Sequence, residues 1–279
     1  MPKMTYFKAQ QWAFSFSAEH GYLKEDVDFL LLGQLNWTLA QLLSNYQREM
    51  PAAAWEKFQT NVKKMCQGYP PQYLLGSTSF YGLKLQVTPA TLIPRPDTEE
   101  LVDFILTDLQ AKKDLRVADI GTGTGAIGLA LKSNKPSWDV SLTDISEAAL
   151  AVARNNAHAL GLDVELKQGD LLTPLVGRYD VIVSNPPYIP KREADLMDES
   201  VKRYEPALAL FAAKDGLAIY ERLAKEIRPY LQPKARLYLE IGFSQAKQVQ
   251  ALFLQEFPRA QVTVKQDLTG HDRMIKVEF

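Results

Sequence analysis

The sequence predicts a doubly wound α/β domain that follows a small helical domain, and three features lead to this prediction. From Leu115 onward, short apolar strands alternate with segments long enough for helices. A glycine-rich turn joins the first of these strands to a helix, as it does in nucleotide-binding sheets. Before Cys66 the apolar residues instead recur at helical spacing. At 279 residues the chain is long enough for one large and one small domain.

Residues 1–75 are predicted to form the helical domain. Its clearest apolar stripe contains Trp55, Phe58, Val62 and Met65 and follows Pro51, a residue suited to a first helical turn. The stripe favours packing among the domain's own helices, with a partner-binding groove as the alternative.

Residues 76–94 are predicted to form a β-hairpin linker, and residues 95–279 the α/β domain. Side chains alternate as in strands between Thr78 and Val87, and Gly82 indicates a hairpin turn or bulge. Beyond the linker, Asp97-Thr98-Glu99-Glu100 has the D-x-x-E pattern that caps a helix.

The α/β domain is divided into elements by the period of its apolar residues. The predicted strands are Leu115–Ile120, Val140–Asp144, Val164–Gln168, Tyr179–Ser184, Arg236–Ile241, Gln261–Gln266 and Met274–Phe279. The predicted helices among them are Gly125–Ser133, Glu147–Leu160, Gly216–Leu231 and Ser244–Phe257. Because the last two strands are too close for a helical crossover, we expect the final strand to pair antiparallel.

Composition narrows the class of protein. Lys and Arg number 32 against 33 Asp and Glu, so no basic excess favours nucleic acid as a partner. The single cysteine, Cys66, excludes an internal disulfide, and the three histidines form no metal-ligand spacing. The N-terminus has no apolar signal region, so we expect a cytoplasmic protein that neither spans a membrane nor holds a metal.

The glycine-rich turn is Gly121-Thr122-Gly123-Thr124-Gly125, which follows Asp119 at the end of the first predicted strand. Glycine allows positive φ and lets a ligand approach the backbone, so the turn predicts a nucleotide-type cofactor. Gly121, Gly123 and Ala126 also fit a dinucleotide fingerprint, and a plain strand-to-helix turn is a further alternative.

Acidic residues close the next two strands. Asp144 lies 19 residues after Gly125, where a carboxylate can accept from ribose hydroxyls, or can cap the helix near Glu147. Asp170 is suited to accept from an adenine amino group, although a role in a turn is nearly as plausible. The neighbouring Leu171 could cover the adenine face.

Asn185-Pro186-Pro187-Tyr188 follows the fourth strand and is the most informative motif. Proline fixes φ and lacks an N–H, so the carbonyls of Asn185 and Pro186 stay outside helix and sheet ladders. The Asn185 side-chain oxygen and the Pro186 carbonyl can hold both hydrogens of a planar NH₂ group, on which Tyr188 can stack. This suits methyl transfer to glutamine, asparagine or adenine from S-adenosylmethionine, which requires neither metal nor strong base. No hydride-transfer site that a dehydrogenase would need is found.

These motifs resemble the class I S-adenosylmethionine-dependent methyltransferases that act on amino groups, including DNA adenine-N6 enzymes. Further segments make the chain similar to the protein-(glutamine-N5) methyltransferases of peptide chain release factors, over roughly Pro71 to Phe279. The segments that carry this resemblance are Pro71-Gln72-Tyr73-Leu74-Leu75-Gly76, Phe80-Tyr81-Gly82, Leu92-Ile93-Pro94-Arg95-Pro96-Asp97-Thr98-Glu99, Glu205-Pro206 and Asp215-Gly216-Leu217.

The resemblance implies a Rossmann-like methyltransferase sheet and methylation of the glutamine amide in the Gly-Gly-Gln motif of class 1 release factors. S-adenosyl-L-methionine would be the donor and S-adenosyl-L-homocysteine the product, and the N-terminal helices would help to hold the protein substrate. Asn185, Pro186, Pro187 and Tyr188 would bind the glutamine, with Asn185, Pro186 and Tyr188 catalytic. The predicted cofactor-binding residues are Asp119, Gly121, Thr122, Gly123, Thr124, Gly125, Asp144, Asp170, Leu171 and Asn185. The chain departs from the family pattern at Asp97, at Phe211-Ala212-Ala213 and at Leu171.

Three other functions compete. An adenine-N6 methyltransferase acting on DNA or RNA shares the chemistry, but the acidic N-terminal helices do not resemble a basic target-recognition region. A hydrolase is suggested by Gly242-Phe243-Ser244-Gln245-Ala246 with Asp267 and His271 downstream, although the last glycine of the motif is missing and Ser244 is better explained as a helix cap. A protein that only docks on a translation factor would not need the glycines and Asn185.

Overall fold

The computed structural model describes residues 3–279, which cluster into two compact units. One unit contains residues 3–77 together with Glu199–Tyr204, and the other contains residues 78–198 and 205–279. The ring of Tyr204 lies 4.8 Å from that of Tyr69, within the first unit. This grouping does not separate a hairpin from the sheet, so the boundaries at residues 75 and 94 stay a prediction.

The helices and strands are numbered in chain order over both units. The α-helices are α1 (Tyr6–Ala18), α2 (Lys24–Leu35), α3 (Leu39–Asn45), α4 (Ala52–Met65), α5 (Pro71–Leu75), α6 (Pro96–Asp108), α7 (Ala126–Asn134), α8 (Glu147–Leu160), α9 (Glu199–Tyr204), α10 (Ala207–Leu210), α11 (Ala218–Glu226) and α12 (Ala246–Glu256). The strands are β1 (Ser77–Phe80), β2 (Leu83–Gln86), β3 (Arg116–Ile120), β4 (Asp139–Asp144), β5 (Glu165–Gln168), β6 (Tyr179–Ser184), β7 (Ile189–Pro190), β8 (Phe211–Ala212), β9 (Leu231–Glu240), β10 (Gln261–Gln266) and β11 (Asp272–Glu278).

The first unit has its own core, which the predicted apolar stripe helps to fill. Phe58, Val62 and Met65 of α4 are fully buried in that core, against side chains of α1 and α2. Trp55 makes an edge contact with Trp12, with 4.9 Å between ring centroids. The stripe therefore packs on the unit's own helices, as the apolar spacing favoured.

The second unit is built on a seven-stranded sheet with the order β10-β11-β9-β6-β3-β4-β5. Strands β9, β6, β3, β4 and β5 run parallel, whereas β11 pairs antiparallel with both β9 and β10. Buried side chains that alternate along the strands cover both faces. The doubly wound sheet and its antiparallel last strand are thus confirmed.

Several details of the predicted elements are wrong. The helix predicted at Gly216–Leu231 ends at Glu226, and Pro229 then lies in a short 3₁₀ turn before β9 begins at Leu231. Helix α6 begins at Pro96 with Arg95 as its N-cap, so the predicted capping pattern is not formed. Glu99 and Glu100 instead accept hydrogen bonds from the backbone N–H groups of Tyr81 and Leu268.

The hairpin β1–β2 turns at Gly82, where φ is +76°, and Asn156 of α8 connects it to the glycine-rich turn. The Asn156 Oδ1 accepts from Gln86 N at 2.6 Å, while Nδ2 donates to the carbonyls of Gln86 and Thr124 at 3.1 and 2.9 Å. Because Asn156 is buried, water could not replace its hydrogen bonds to these backbone groups.

We expect Asn156→Ala to lower the free energy of unfolding by about 2–4 kcal/mol, because it leaves buried backbone groups unpaired. Chemical denaturation of both proteins measures the difference. The matched control is Asn155→Ala on the exposed face of the same helix, which should change stability by less than about 0.5 kcal/mol. Equal losses in the two variants would contradict the role assigned to Asn156.

No helix within residues 3–279 combines the length and apolar character needed to cross a membrane. The same stretch of chain contains no group of three or more His, Cys, Asp and Glu side chains placed to hold a metal ion.

Candidate active site

A cavity of about 250 Å³ opens at the carboxyl ends of β3, β4, β5 and β6, where ligands bind in sheets of this type. The loops after these strands line it, together with the segment that leads into α6 and with residues around α10. Lining residues include Arg95, Thr98, Gly121, Thr122, Gly123, Thr124, Asp144, Asp170, Leu171, Asn185, Pro186, Pro187 and Leu208.

The glycine-rich turn presents bare backbone to this cavity. Gly121 and Gly123 have φ of +68° and +56°, and a Cβ on either would meet no atom of residues 3–279 within 4 Å. A ligand can therefore approach the backbone closely at both positions. Gly125 also has positive φ, but it is the N-cap of α7 and a Cβ there would lie 2.8 Å from Leu129.

Asp119 stabilises the glycine-rich turn through hydrogen bonds to its carboxylate. Its Oδ2 accepts from the Thr122 hydroxyl at 2.6 Å and from Gly128 N at 3.0 Å. Burial raises the pKa of Asp119 to about 6, and its Oδ1 is buried without a hydrogen-bond partner among residues 3–279. Asp119 shapes the loop, and direct contact with a cofactor stays a prediction.

Asp144 joins the glycine-rich turn to the end of β4. One carboxylate oxygen accepts from Gly123 N and the other from Ser146 N, both at 2.9 Å. Ser146 itself caps α8, since its hydroxyl accepts from Ala149 N at 3.2 Å. The alternative in which Asp144 caps this helix is therefore wrong, and Asp144 faces the cavity.

Asp170 and Leu171 line the cavity beyond β5. The Asp170 carboxylate pairs with the Arg222 guanidinium at 3.0 Å, and its backbone carbonyl accepts from Thr173 N at 3.1 Å. Leu171 is nearly buried and has a φ of +55°. Asp170 thus takes part in a turn and an ion pair, while a bond from its carboxylate to adenine stays a prediction.

The Asn-Pro-Pro-Tyr turn brings two acceptors to the other side of the cavity. The Asn185 Nδ2 donates to Thr98 Oγ1 at 3.1 Å, which leaves Oδ1 on the opposite side of the amide. Within the described chain, neither this Oδ1 nor the Pro186 carbonyl has a hydrogen-bond partner. Asn185, Pro186 and Pro187 line the cavity.

Tyr188 has a different environment. Its hydroxyl donates to Glu240 Oε1 at 3.3 Å, and its ring packs against the hydrophobic core. Burial raises the pKa of Tyr188 well above its usual range, so the ring stays a neutral phenol. The cavity lining includes Pro187 but not Tyr188, and stacking of this ring on a substrate stays a prediction.

Sequence reasoning missed the residues that support this turn. Glu240, at the end of β9, is buried, and its Oε2 accepts a hydrogen bond from the Thr98 hydroxyl at 2.6 Å. Gln245 donates to the carbonyls of Tyr188 and Asp215 at 3.0 and 3.3 Å and accepts from Gly242 N. The available signal for Glu240 was its position as an acid at the end of a long apolar strand, whereas Gln245 belongs to no recognised pattern other than the hydrolase-like motif.

The hydrolase arrangement is not assembled. Ser244 is exposed, and the N-cap of α12 is Gln245, so the predicted capping role of Ser244 is wrong. His271 Nδ1 bonds to Thr269 Oγ1 at 2.9 Å, and Asp267 forms an ion pair with Arg273.

Comparison with known proteins identifies the family. The model for the PrmC N-terminal domain matches residues 8–76, and the model for the methyltransferase small domain matches residues 99–208. A release factor glutamine methyltransferase of Enterococcus faecalis is 42% identical over 276 residues, covering 98% of this chain and 99% of the relative. One of Lactococcus lactis is 43% identical over 88% of this chain and 89% of the relative.

The chain belongs to the release factor glutamine methyltransferase family. Its similarity extends through the N-terminal helices, whereas the sequence motifs carried the resemblance only from Pro71. As a methyltransferase of this family, the chain uses a cofactor of the S-adenosylmethionine type.

Solved structures show the same fold. A methyltransferase of Pyrococcus furiosus matches with a TM-score of 0.53 and 17% identity, covering 82% of this chain and 98% of that one. A 16S rRNA N2 G1207 methyltransferase of Thermus thermophilus, in complex with AdoMet and guanosine, matches with a TM-score of 0.52 and 18% identity over 72% of this chain and 49% of that one. At these identities the likeness concerns the fold alone.

Proposed function

We propose that this chain transfers a methyl group from S-adenosyl-L-methionine to the side-chain amide nitrogen of the glutamine in the Gly-Gly-Gln motif of class 1 release factors. One observation carries the proposal beyond the family names. Two acceptors that have no hydrogen-bond partner within residues 3–279, the Asn185 Oδ1 and the Pro186 carbonyl, lie at the cavity beside the glycine-rich turn. They match the two N–H bonds of a primary amide.

The residues at the cavity fit the cofactor. Backbone at Gly121 and Gly123 can approach the methionine part closely, while Asp144 offers acceptors to ribose hydroxyls. Leu171 offers an apolar contact for the adenine. S-adenosylmethionine, when bound, supplies a methyl group on a sulfonium sulfur, and the resulting thioether is a good leaving group without further activation. The S–CH₃ bond breaks as the N–CH₃ bond forms, one N–H proton then leaves the methylated nitrogen for solvent, and S-adenosyl-L-homocysteine is the second product.

The paired acceptors compensate for the weak nucleophilicity of an amide nitrogen. The nitrogen lone pair of glutamine is delocalised into its carbonyl, so the NH₂ group must be turned and held for attack. As the new N–C bond forms, positive charge grows on nitrogen and both N–H groups become stronger donors. The two acceptors therefore stabilise the transition state more than the ground state.

The substrate is further supported by the relatives, which are named release factor glutamine methyltransferases. An adenine-N6 reaction would use the same acceptors, but the formal net charge of −1 offers no basic excess for nucleic acid. We propose that the helical region, residues 1–75, helps to hold the release factor, with residues 76–94 as a hairpin linker and residues 95–279 as the catalytic domain. A cytoplasmic location follows from this substrate.

The test incubates the chain with methyl-labelled S-adenosylmethionine and either a class 1 release factor or DNA, and locates the label by mass spectrometry. We expect one methyl group on the glutamine of the Gly-Gly-Gln motif. The control is the same release factor with that glutamine replaced by alanine, which should remain unlabelled. Label on DNA alone, or on the alanine control, would overturn the proposal.

A further inference from the structure

We propose that Thr98 and Glu240 form a hydrogen-bond relay that fixes the Asn185 amide with its oxygen toward the substrate, and that the relay holds only while Glu240 is ionised. This inference rests on the proposed function, because it assigns a task to the Asn185 oxygen. Thr98 and Glu240 act through Asn185 and are positioning residues.

The direction of the relay follows from the number of protons on the Thr98 hydroxyl. That hydroxyl has a single hydrogen, which it donates to Glu240 Oε2 at 2.6 Å. Its remaining lone pairs can face only a donor, and the Asn185 Nδ2 fills this place at 3.1 Å. Since Thr98 and Glu240 are 4% and 2% exposed, water does not compete for these bonds. The amide oxygen of Asn185 is thereby directed away from Thr98.

Protonation of Glu240 would reverse this order. The Tyr188 hydroxyl already donates to Oε1, and within residues 3–279 its proton has no other recorded acceptor. A proton added to Glu240 is therefore best held on Oε2, where it donates to Thr98. The Thr98 hydroxyl must then donate to Asn185, whose amide turns its oxygen inward and its NH₂ group toward the substrate. Two NH₂ groups would then face each other, and the acceptor would be lost.

The surroundings of Glu240 favour a proton at moderate pH. Burial, with a smaller contribution from Asp97 of α6, raises the pKa of Glu240 to about 7. Arg273 of β11 and the hydroxyls of Thr98 and Tyr188 act in the opposite direction. Tyr220 donates to the Glu240 backbone carbonyl and is neutral. Arg273 is itself paired with Asp97 and Asp267, so its charge is shared.

The experiment follows the single-turnover rate of methyl transfer against pH, from pH 5.5 to 9, with cofactor and release factor saturating. For the unmodified chain we expect the rate to rise with pH through about 7, as Glu240 ionises. Thr98→Val keeps the shape but removes the hydroxyl, and should lower the high-pH rate about 10–50-fold, less than loss of the whole Asn185 amide. Thr98→Ser restores the hydroxyl and should stay within about threefold of the unmodified rate.

Glu240→Gln tests the proton separately. By the same argument, the oxygen of a glutamine there accepts from Tyr188 and its NH₂ group donates to Thr98, as the protonated carboxyl would, but the glutamine does not titrate. We expect it to stay near the low rate of the unmodified chain at pH 5.5 throughout the range, and to abolish the rise near pH 7. Should Thr98→Val fail to fold, this pH profile decides alone.

Two results would overturn the relay. Equal rates for Thr98→Val and Thr98→Ser at high pH would mean that the hydroxyl does not position Asn185. A rise that persists in Glu240→Gln would assign the titration to another group, such as Asp119, whose pKa burial raises to about 6. Absence of methyl transfer by the unmodified chain would instead contradict the proposed function.

Discussion

Asn185→Ala should lower the rate of methyl transfer about 10²–10³-fold, by comparison with the loss of one donor from an oxyanion hole. The substitution removes the Oδ1 acceptor, while the Pro186 carbonyl remains at the cavity. The glutamine NH₂ group would then be held by one bond and could rotate about it, so fewer bound complexes have the lone pair aimed at the methyl group.

Single-turnover kinetics with saturating cofactor and release factor measure this effect without contributions from product release. The matched control is Asn155→Ala, an exposed asparagine of α8, for which we expect no change in rate. Near-normal turnover in Asn185→Ala would mean that the backbone carbonyl alone positions the substrate. A large rise in KM with normal kcat would mean that Asn185 contributes to binding rather than to the transition state.

The parallel sheet could be predicted because its central strands β3 and β6 are apolar on both faces and its helices have the helical period. Each of these signals lies within one short segment, so Tyr179–Ser184 and Gln261–Gln266 agree with the structure at both ends. The end of α11 was missed for a local reason, since Pro229 follows a continuous apolar pattern that the period alone extends to Leu231.

The motifs that line the cavity could also be predicted from short segments, because the loops after parallel strands meet at one edge of a sheet. The residues that support these motifs could not, because they are distant from their partners in the sequence. Thr98 and Glu240 are 142 positions apart, and Asp170 and Arg222 are 52 apart, so no spacing rule relates them. The D-x-x-E pattern that begins at Asp97 predicts a helix cap, and nothing in it indicates that the neighbouring Thr98 hydroxyl accepts a hydrogen bond from Asn185. A buried carboxylate needs a hydrogen-bonding or charged partner, but the sequence does not show which residue that partner is.

The position of the Asn-Pro-Pro-Tyr turn should depend on Gly216. This glycine has a φ of +84°, and a Cβ there would lie 2.1 Å from the Tyr188 carbonyl oxygen and 2.4 Å from Gln245 Nε2. The same two atoms form the hydrogen bond that connects the turn to the start of α12. Any side chain at residue 216 would therefore push the turn away from its support, and Asn185 and Pro186 would move with it.

We expect Gly216→Ala to lower the rate of methyl transfer about 10²-fold, since a displacement of about 1 Å in a reacting group can cost that much. Gly270→Ala separates backbone strain from the clash, because Gly270 has a φ of +85° and, in the part of the chain that the structure describes, no atom lies within 4 Å of the added Cβ. Both variants bear the left-handed strain of about 1–2 kcal/mol, but only the first displaces Tyr188. Denaturation and single-turnover assays on the pair should give a stability loss in both and a rate loss in Gly216→Ala alone. Equal rates in the two would show that the turn keeps its position without close contact to Gly216, and that the prolines themselves hold Asn185 and Pro186 in place.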